Sequence, residues 1–303
     1  MHVTLWGTRG SLAAPGPDTA RYGGNTSCVE VRGTDGTILV LDAGTGIRLL
    51  GASIPASVPR VDILLTHLHM DHIQGLGFFR PLYDAGVSVH IWGPASTTLH
   101  LRTRLMRYLS PPLFPVHLRD LPCHLALHEV PNADIEIGRF RVASALVCHP
   151  GPTVGYRIAS PEGTLVFLPD HEPALGARVF PLPQEWTSGY EIAAGADLLI
   201  HDAQYGSAQY AEHVGWGHST IEQAFAFATL AGVRHLVPFH HDPAHNDDDV
   251  DRLVTTATAA AQPSFAVLPG TERTTFRLHA GGVVDVEPIA AACTVPSPHV
   301  PVP

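Results

Sequence analysis

Thr66-His67-Leu68-His69-Met70-Asp71-His72 places three imidazoles and a carboxylate directly after the apolar run Val61 to Leu65. In an extended segment, residues two apart project to the same side, so His67 and His69 can grip one cation. Asp71 and His72, in the turn that follows, can then face a second. One ion does not take all four donors comfortably at this spacing, whereas two ions ~3.5–4 Å apart that share a bridging oxygen do. The spacing therefore predicts a dinuclear site. Crowding such groups behind a buried strand costs desolvation that only a cation or a hydrogen-bond network offsets.

Composition points the same way. The 20 histidines outnumber the 18 basic residues, and every one of those 18 is arginine. The absence of lysine excludes Schiff-base chemistry and the phosphate loop ending in Gly-Lys-Ser/Thr, and no G-x-S-x-G elbow is present. A net charge of −10 repels polyanions unless a local cationic site overrides it. Cys28, Cys123, Cys148 and Cys293 are widely spaced, which fits neither a thiolate zinc knuckle nor a disulfide framework, and a reducing cytoplasmic setting is expected. Met1 to Gly7 reads as a strand rather than a signal peptide, and no apolar run reaches the ~18 residues of a membrane span.

The elements that must position these groups are mostly strands. Short runs rich in β-branched residues occur at Thr37 to Leu41, Val61 to Leu65, Val87 to Trp92, Phe140 to Val147, Thr164 to Leu168, Asp197 to Ile200 and His235 to Phe239. Helical patterns are fewer. Ser219 to Ala231 is the clearest, with Ser219 and Glu222 as a capping box, followed by Thr97 to Tyr108 and Asp248 to Ala261. Clustered strands with interspersed helices favour two packed sheets covered by helices. With 45% hydrophobic residues over 303 positions, the chain buries a sizeable core. Residues 1–287 are expected to form one hydrolase domain, and 288–303, rich in Pro, Ala and Val, a disordered tail. Leu109 to Pro122, with four prolines, reads as an ordered loop or lid.

His67, His69, Asp71 and His72 match in full the H-x-H-x-D-H signature of the metallo-β-lactamase superfamily, which the chain resembles over most of its length. The resemblance implies an α/β fold, an αββα sandwich of two mixed β-sheets flanked by helices. It implies His149, in Cys148-His149-Pro150-Gly151, as the third ligand to the first metal. It also implies Asp170, in Pro169-Asp170-His171, as a bridging carboxylate, and His240 as the last ligand to the second metal. His240 and His241 are adjacent and either could bind. His240 is preferred because Val237-Pro238-Phe239-His240 aligns with the strand-ending histidine of ribonuclease Z, which leaves His241 as a hydrogen-bonded neighbour.

Within the superfamily, the phosphodiesterase branch is the better match. Trp6-Gly7-Thr8-Arg9-Gly10-Ser11, Gly23-Gly24-Asn25-Thr26-Ser27-Cys28 and Asp42-Ala43-Gly44-Thr45-Gly46 look like ribonuclease Z and related cyclic-phosphate phosphodiesterases. Gly217-His218-Ser219-Thr220 is similar to that branch's histidine motif. Ile200-His201-Asp202-Ala203 resembles its His-Glu-Ala-Thr segment, with Asp in place of Glu.

The expected function is a dinuclear-metal phosphodiesterase that hydrolyses a small cyclic phosphate ester, a cyclic nucleotide or ribose cyclic phosphate, by hydroxide generated at the metals. His218, oriented by Asp202, would help the departing alkoxide, and Asp71 completes the catalytic set. His218 also precedes a helix N-terminus, where a phosphate oxygen could bind. Arg9 and Arg21 could hold phosphate, although arginines at such positions are by default on the surface. His171 contacts substrate or buttresses a ligand, His201 is structural, Asn25 secures a turn and Cys148 is a small buried hydrophobe. Two zinc ions are the default for this ligand set, with manganese as the alternative. The alternatives are a ribonuclease Z-like transfer-RNA endonuclease, disfavoured by charge and by the lack of a Gly- and basic-rich arm, a lactonase or β-lactamase, and a non-catalytic metal sensor. The resemblance also implies a homodimer, with Leu109 to Val116 covering the pocket.

Overall fold

The computed structural model describes residues 1–130, 134–177 and 179–288. The first strands are β1 (His2–Gly7), β2 (Cys28–Arg32), β3 (Ile38–Leu41), β4 (Arg60–Leu64), β5 (Ser88–Pro94) and β6 (His124–Val130). They are followed by β7 (Ile135–Ile137), β8 (Phe140–Leu146), β9 (Val154–Ser160), β10 (Gly163–Leu168), β11 (Leu198–Asp202) and β12 (His235–Phe239). The last three are β13 (Ala266–Val267), β14 (Thr274–His279) and β15 (Val283–Pro288). They form an eight-stranded sheet in the order β15-β14-β1-β2-β3-β4-β5-β6 and a seven-stranded sheet in the order β13-β12-β11-β10-β9-β8-β7. Both sheets are mixed: β3 to β6 run parallel in one and β10 to β13 in the other, with antiparallel strands beside them.

Alternation along each central strand sorts side chains between layers. Leu39 and Leu41 of β3 face the interior between the sheets, against Tyr156, Phe167, Ile200 and Phe239. Ile38 and Val40 face outward and are covered by Ile47 and Leu50 of helix α1 (Ile47–Ser53). On the far side, Val166, Leu168 and Leu199 pack against Ile221, Ala224, Phe225 and Ala228. Burial on both faces explains why these strands read as continuous apolar runs.

The remaining helices are α2 (Met70–Ile73), α3 (Leu101–Leu105), α4 (Tyr190–Ala193), α5 (Ser207–Tyr210), α6 (Ile221–Ala231) and α7 (Asp247–Ala261). The expected helix from Thr97 to Tyr108 is much shorter. Ser96 Oγ instead bonds the hydroxyl and the N–H of Thr98, side-chain bonds that compete with helix, and α3 starts where Leu101 N–H donates to Glu129. At α6 the capping box is Thr220 with Gln223, not Ser219 with Glu222; the Ser219 hydroxyl donates to the His171 carbonyl at 2.6 Å. Helix α7 begins one residue earlier than expected and is capped by Asn246 with Asp249. The Leu109 to Pro122 segment folds back on the outer core through buried Leu109, Phe114, Leu118 and Leu121. Pro288 closes β15 opposite Thr274, and the expected tail beyond it lies outside the described residues.

Candidate metal centre

The loops at the carboxyl ends of β4, β8, β10, β11 and β12 converge on one edge of the sandwich. His67, His69, His149 and Asp170 offer ligand atoms that all lie within 4.8 Å of one another, and so do Asp71, His72, Asp170 and His240. Asp170 belongs to both groups. Its Oδ2 lies 3.7 Å from Nε2 of both His67 and His149, and its Oδ1 lies 3.0 Å from His72 Nε2 and 3.2 Å from His240 Nε2. One carboxylate thus offers an oxygen to each half of the site.

His67 Nε2, His72 Nε2 and Asp170 Oδ1 are buried and make no well-aligned hydrogen bond, even though the last two lie only 3.0 Å apart, which is costly unless a cation satisfies them. Burial lowers the imidazole pKa of His67, His69 and His149, which keeps their lone pairs free. Burial acts in the same direction on His72, yet Asp170, Asp71 and Asp42 around it push its imidazole well above the ordinary value. Three carboxylates around one ring amount to an excess of negative charge that divalent ions would neutralise. The residues fit such ions.

Four of the five donor imidazoles are fixed through their other face, which sets the tautomer and aims the lone pair. His72 Nδ1 lies 2.7 Å from Asp42 Oδ2, His149 Nδ1 2.9 Å from the Gly217 carbonyl, and His240 Nδ1 2.9 Å from Gln204 Oε1. Thr66 Oγ1 is 3.1 Å from His67 Nδ1. Asp42 also accepts from Thr66 N–H and from the Ser27 hydroxyl. The Ser11 N–H donates to Asp71 at 2.8 Å. None of these supporting groups is assigned a role by sequence spacing, although a carboxylate directly after the buried strand β3 was a signal for Asp42.

His240 sits at φ 61°, the left-handed region that non-glycine residues rarely adopt. A Cβ on Gly10 would come within 2.3 Å of its Nδ1, so glycine at that position makes room for the ring. His241 turns away, with Nε2 at 3.0 Å from the Gly270 carbonyl. His171 is fully buried and its Nδ1 lies 3.0 Å from His201 Nε2.

His218 lies beside the second group, within 4.8 Å of Asp202 and His240 donor atoms. Its Nδ1 is 2.7 Å from Asp202 Oδ2. Burial disfavours the imidazolium, but Asp202, Asp170 and Asp71 outweigh that and push its pKa up to about 9. The expected phosphate subsite at the following helix start is corrected: Ser219 N–H donates to Asp202, Thr220 N–H to Gln223 and Ile221 N–H to the Tyr205 carbonyl. The chain's own acceptors fill the place an anion would take.

Arg9 is wholly buried rather than on the surface. It donates to the carbonyls of Gly23, Asp242 and His245 and pairs with Asp247. Arg21 is more than half exposed and bonds Asp248 and Asp251. The Asn25 side chain donates to Glu272, tying its loop across to the segment before β14. Cys148 is half-buried, and its N–H donates to the Ser188 hydroxyl.

A family model described as a beta-lactamase superfamily domain matches residues 37–241. The chain belongs to the metallo-β-lactamase superfamily. Ribonuclease Z from Brevibacillus brevis is 30% identical over 309 residues, covering 88% of this chain and 92% of the relative. The short form of human tRNase Z has the same fold at 23% identity and a TM-score of 0.63, covering 92% of this chain and 99% of that one. A diphosphatase of the PhnP family aligns with 92% of this chain and 99% of its own at 19% identity and a TM-score of 0.63. Within the superfamily, the chain is a metal-dependent hydrolase of the phosphodiesterase and ribonuclease Z-like branch. Among the described residues, no helix is long and apolar enough to cross a membrane.

Proposed function

We propose that this protein is a phosphodiesterase that hydrolyses a small cyclic phosphate ester, with His67, His69 and His149 holding one divalent ion, Asp71, His72 and His240 a second, and Asp170 bridging them. The observation that carries this reading is the Asp202–His218 pair beside the donor cluster, since lactam or lactone opening has no need of a second proton donor at that position. Divalent ions bound there, zinc by ligand type or manganese, would supply a hydroxide nucleophile and positive charge for the phosphoryl oxygens.

The chain's own groups do the rest. Asp202 accepts from the N–H groups of His171, Gln204 and Ser219, so its carboxylate cannot turn away from His218. The imidazolium it holds donates a proton to the leaving alkoxide, and Asp71, fixed by the Ser11 N–H, keeps its side of the cluster negative. Free, unpaired Cys28, Cys123 and Cys148 support a reducing cytoplasmic compartment. Exposed Phe78, Met106 and Leu113 support a homodimer, to be read from the solution mass.

The relatives named ribonuclease Z favour a second reading, 3′ processing of transfer RNA. A net charge of −10 and the absence of lysine weigh against it, because RNA binding draws on clustered cations. Metal-loaded protein assayed against cyclic nucleotides, a ribose cyclic phosphate, precursor transfer RNA and a chromogenic lactam separates the readings. Turnover of the cyclic esters is expected. Cleavage of RNA alone would replace this reading with the second, and turnover of the lactam alone would reject both.

A further inference from the structure

The segment that supports His149 also presents an exposed tryptophan. Trp216 is 59% exposed, although a side chain of this size normally buries most of its surface. Its backbone is nonetheless held firmly. Gly215 and Gly217 N–H both donate to the carboxylate of Glu172, at 2.9 and 2.7 Å, and the Tyr210 hydroxyl adds a third bond at 2.8 Å. Glu172 is fully buried and lies two residues from Asp170. The Gly217 carbonyl in turn receives His149 Nδ1, so the Trp216 segment is bonded to a metal donor.

A ladder of rings runs outward from the site to this indole. The His218 and Tyr205 centroids are 6.0 Å apart, Tyr205 stacks on His213 at 4.5 Å, and His213 meets Trp216 edge-on at 4.8 Å. The indole is braced through His213 and keeps an open surface. It lies two residues from the proposed proton donor, which limits the Cα separation to about 7 Å.

We infer that Trp216 is a stacking platform for a nucleobase, which makes the substrate a nucleotide ester rather than a base-free sugar phosphate. This inference rests on the proposed hydrolysis of a cyclic phosphate and names its substrate class. A nucleotide sets its base one sugar away from the phosphate, so a phosphate at the metal donors brings the base toward the rim. A neutral indole face accepts any base, since every base offers a π-face. Rigidity lowers the entropy cost of the contact, because the clamp on Glu172 orders the segment before substrate arrives.

The test uses the metal-loaded full chain. Indole emission titrated with adenosine monophosphate should be quenched in the native chain, and that quenching should disappear in Trp216→Phe. Trp216→Ala should raise KM for 2′,3′-cyclic AMP about tenfold, within the range that base stacking supplies, with kcat unchanged. KM for a ribose cyclic phosphate without a base should not move, and Trp216→Phe should retain most of the nucleotide preference. Equal KM values for the native and Trp216→Ala chains on 2′,3′-cyclic AMP, with turnover present, would overturn the platform and leave the hydrolysis intact. Quenching at Trp216 with no turnover of any cyclic phosphate would uphold the platform and overturn the reaction.

Discussion

Asp42 Oδ2 lies 2.7 Å from Nδ1 of His72, and both side chains are fully buried. The carboxylate at the end of one strand thereby aims the Nε2 of a histidine from the next connection into the donor cluster. Asp42→Asn keeps the shape but removes the charge that orients the ring. Metal affinity should fall by about 10- to 100-fold, the usual effect of losing such an outer partner, as read by competition with a chelating dye. Unchanged affinity would show that packing alone orients His72.

Asp170 is the donor common to both groups, so Asp170→Ala should remove most bound metal and abolish turnover together, and His67→Ala should do the same. Elemental analysis of purified variants checks this. Stripping metal from the native chain should also lower Tm, because binding that favours the folded state stabilises it by mass action and its loss leaves buried donors without partners. Full activity of the stripped protein would sink the metal assignment.

The Asp202–His218 pair should behave differently. His218→Ala is expected to keep its metal while turnover falls by ~10² to 10⁴. The deficit should shrink for a p-nitrophenyl ester, whose leaving group needs little protonation. Loss of metal in this variant would reassign His218 as a ligand.

Arg9 joins the loop after β1 to the segment that follows His240, through the Asp242 and His245 carbonyls and Asp247. Arg9→Met should cost about 3–5 kcal/mol, because it leaves a buried carboxylate and several carbonyls short of donors. The urea midpoint of the metal-free protein measures this, and a shift near zero would contradict the burial.

His90 Nδ1 and His128 Nε2 lie 3.0 Å apart on neighbouring strands. Burial lowers both pKa values, with a further push from Arg60 on His90 and from His90 on His128. A base whose folded pKa is depressed takes up protons more readily when unfolded. Its contribution to stability is therefore present above the ordinary value of 6.5 and is lost as pH falls below it. Stability should drop between about pH 7 and about pH 5, and His128→Asn should flatten that slope in urea titrations.

Much of the site was legible because its information is local. Residues two apart in an extended segment share a side, so His67 and His69 declared themselves from spacing, and apolar runs of strand length located β4, β8, β10 and β12 just ahead of a donor. Strands such as β6 (His124–Val130) and β9 (Val154–Ser160) did not stand out, since histidine, glycine and arginine interrupt their apolar character. The family resemblance, rather than spacing, brought His149, Asp170 and His240 into the set.

By itself the amino-acid order determined the composition, the strand periodicity and the H-x-H-x-D-H cluster, all of which depend on neighbours a few positions apart. The packing of the two sheets decided that Asp42 meets His72, that Gln204 meets His240, that Glu172 clamps the Trp216 segment and that Arg9 is buried. Those contacts join residues up to 238 positions apart. Their partners are set by which loops the sandwich brings to one edge, and side-chain hydrogen bonds a few ångströms long form only after that edge exists.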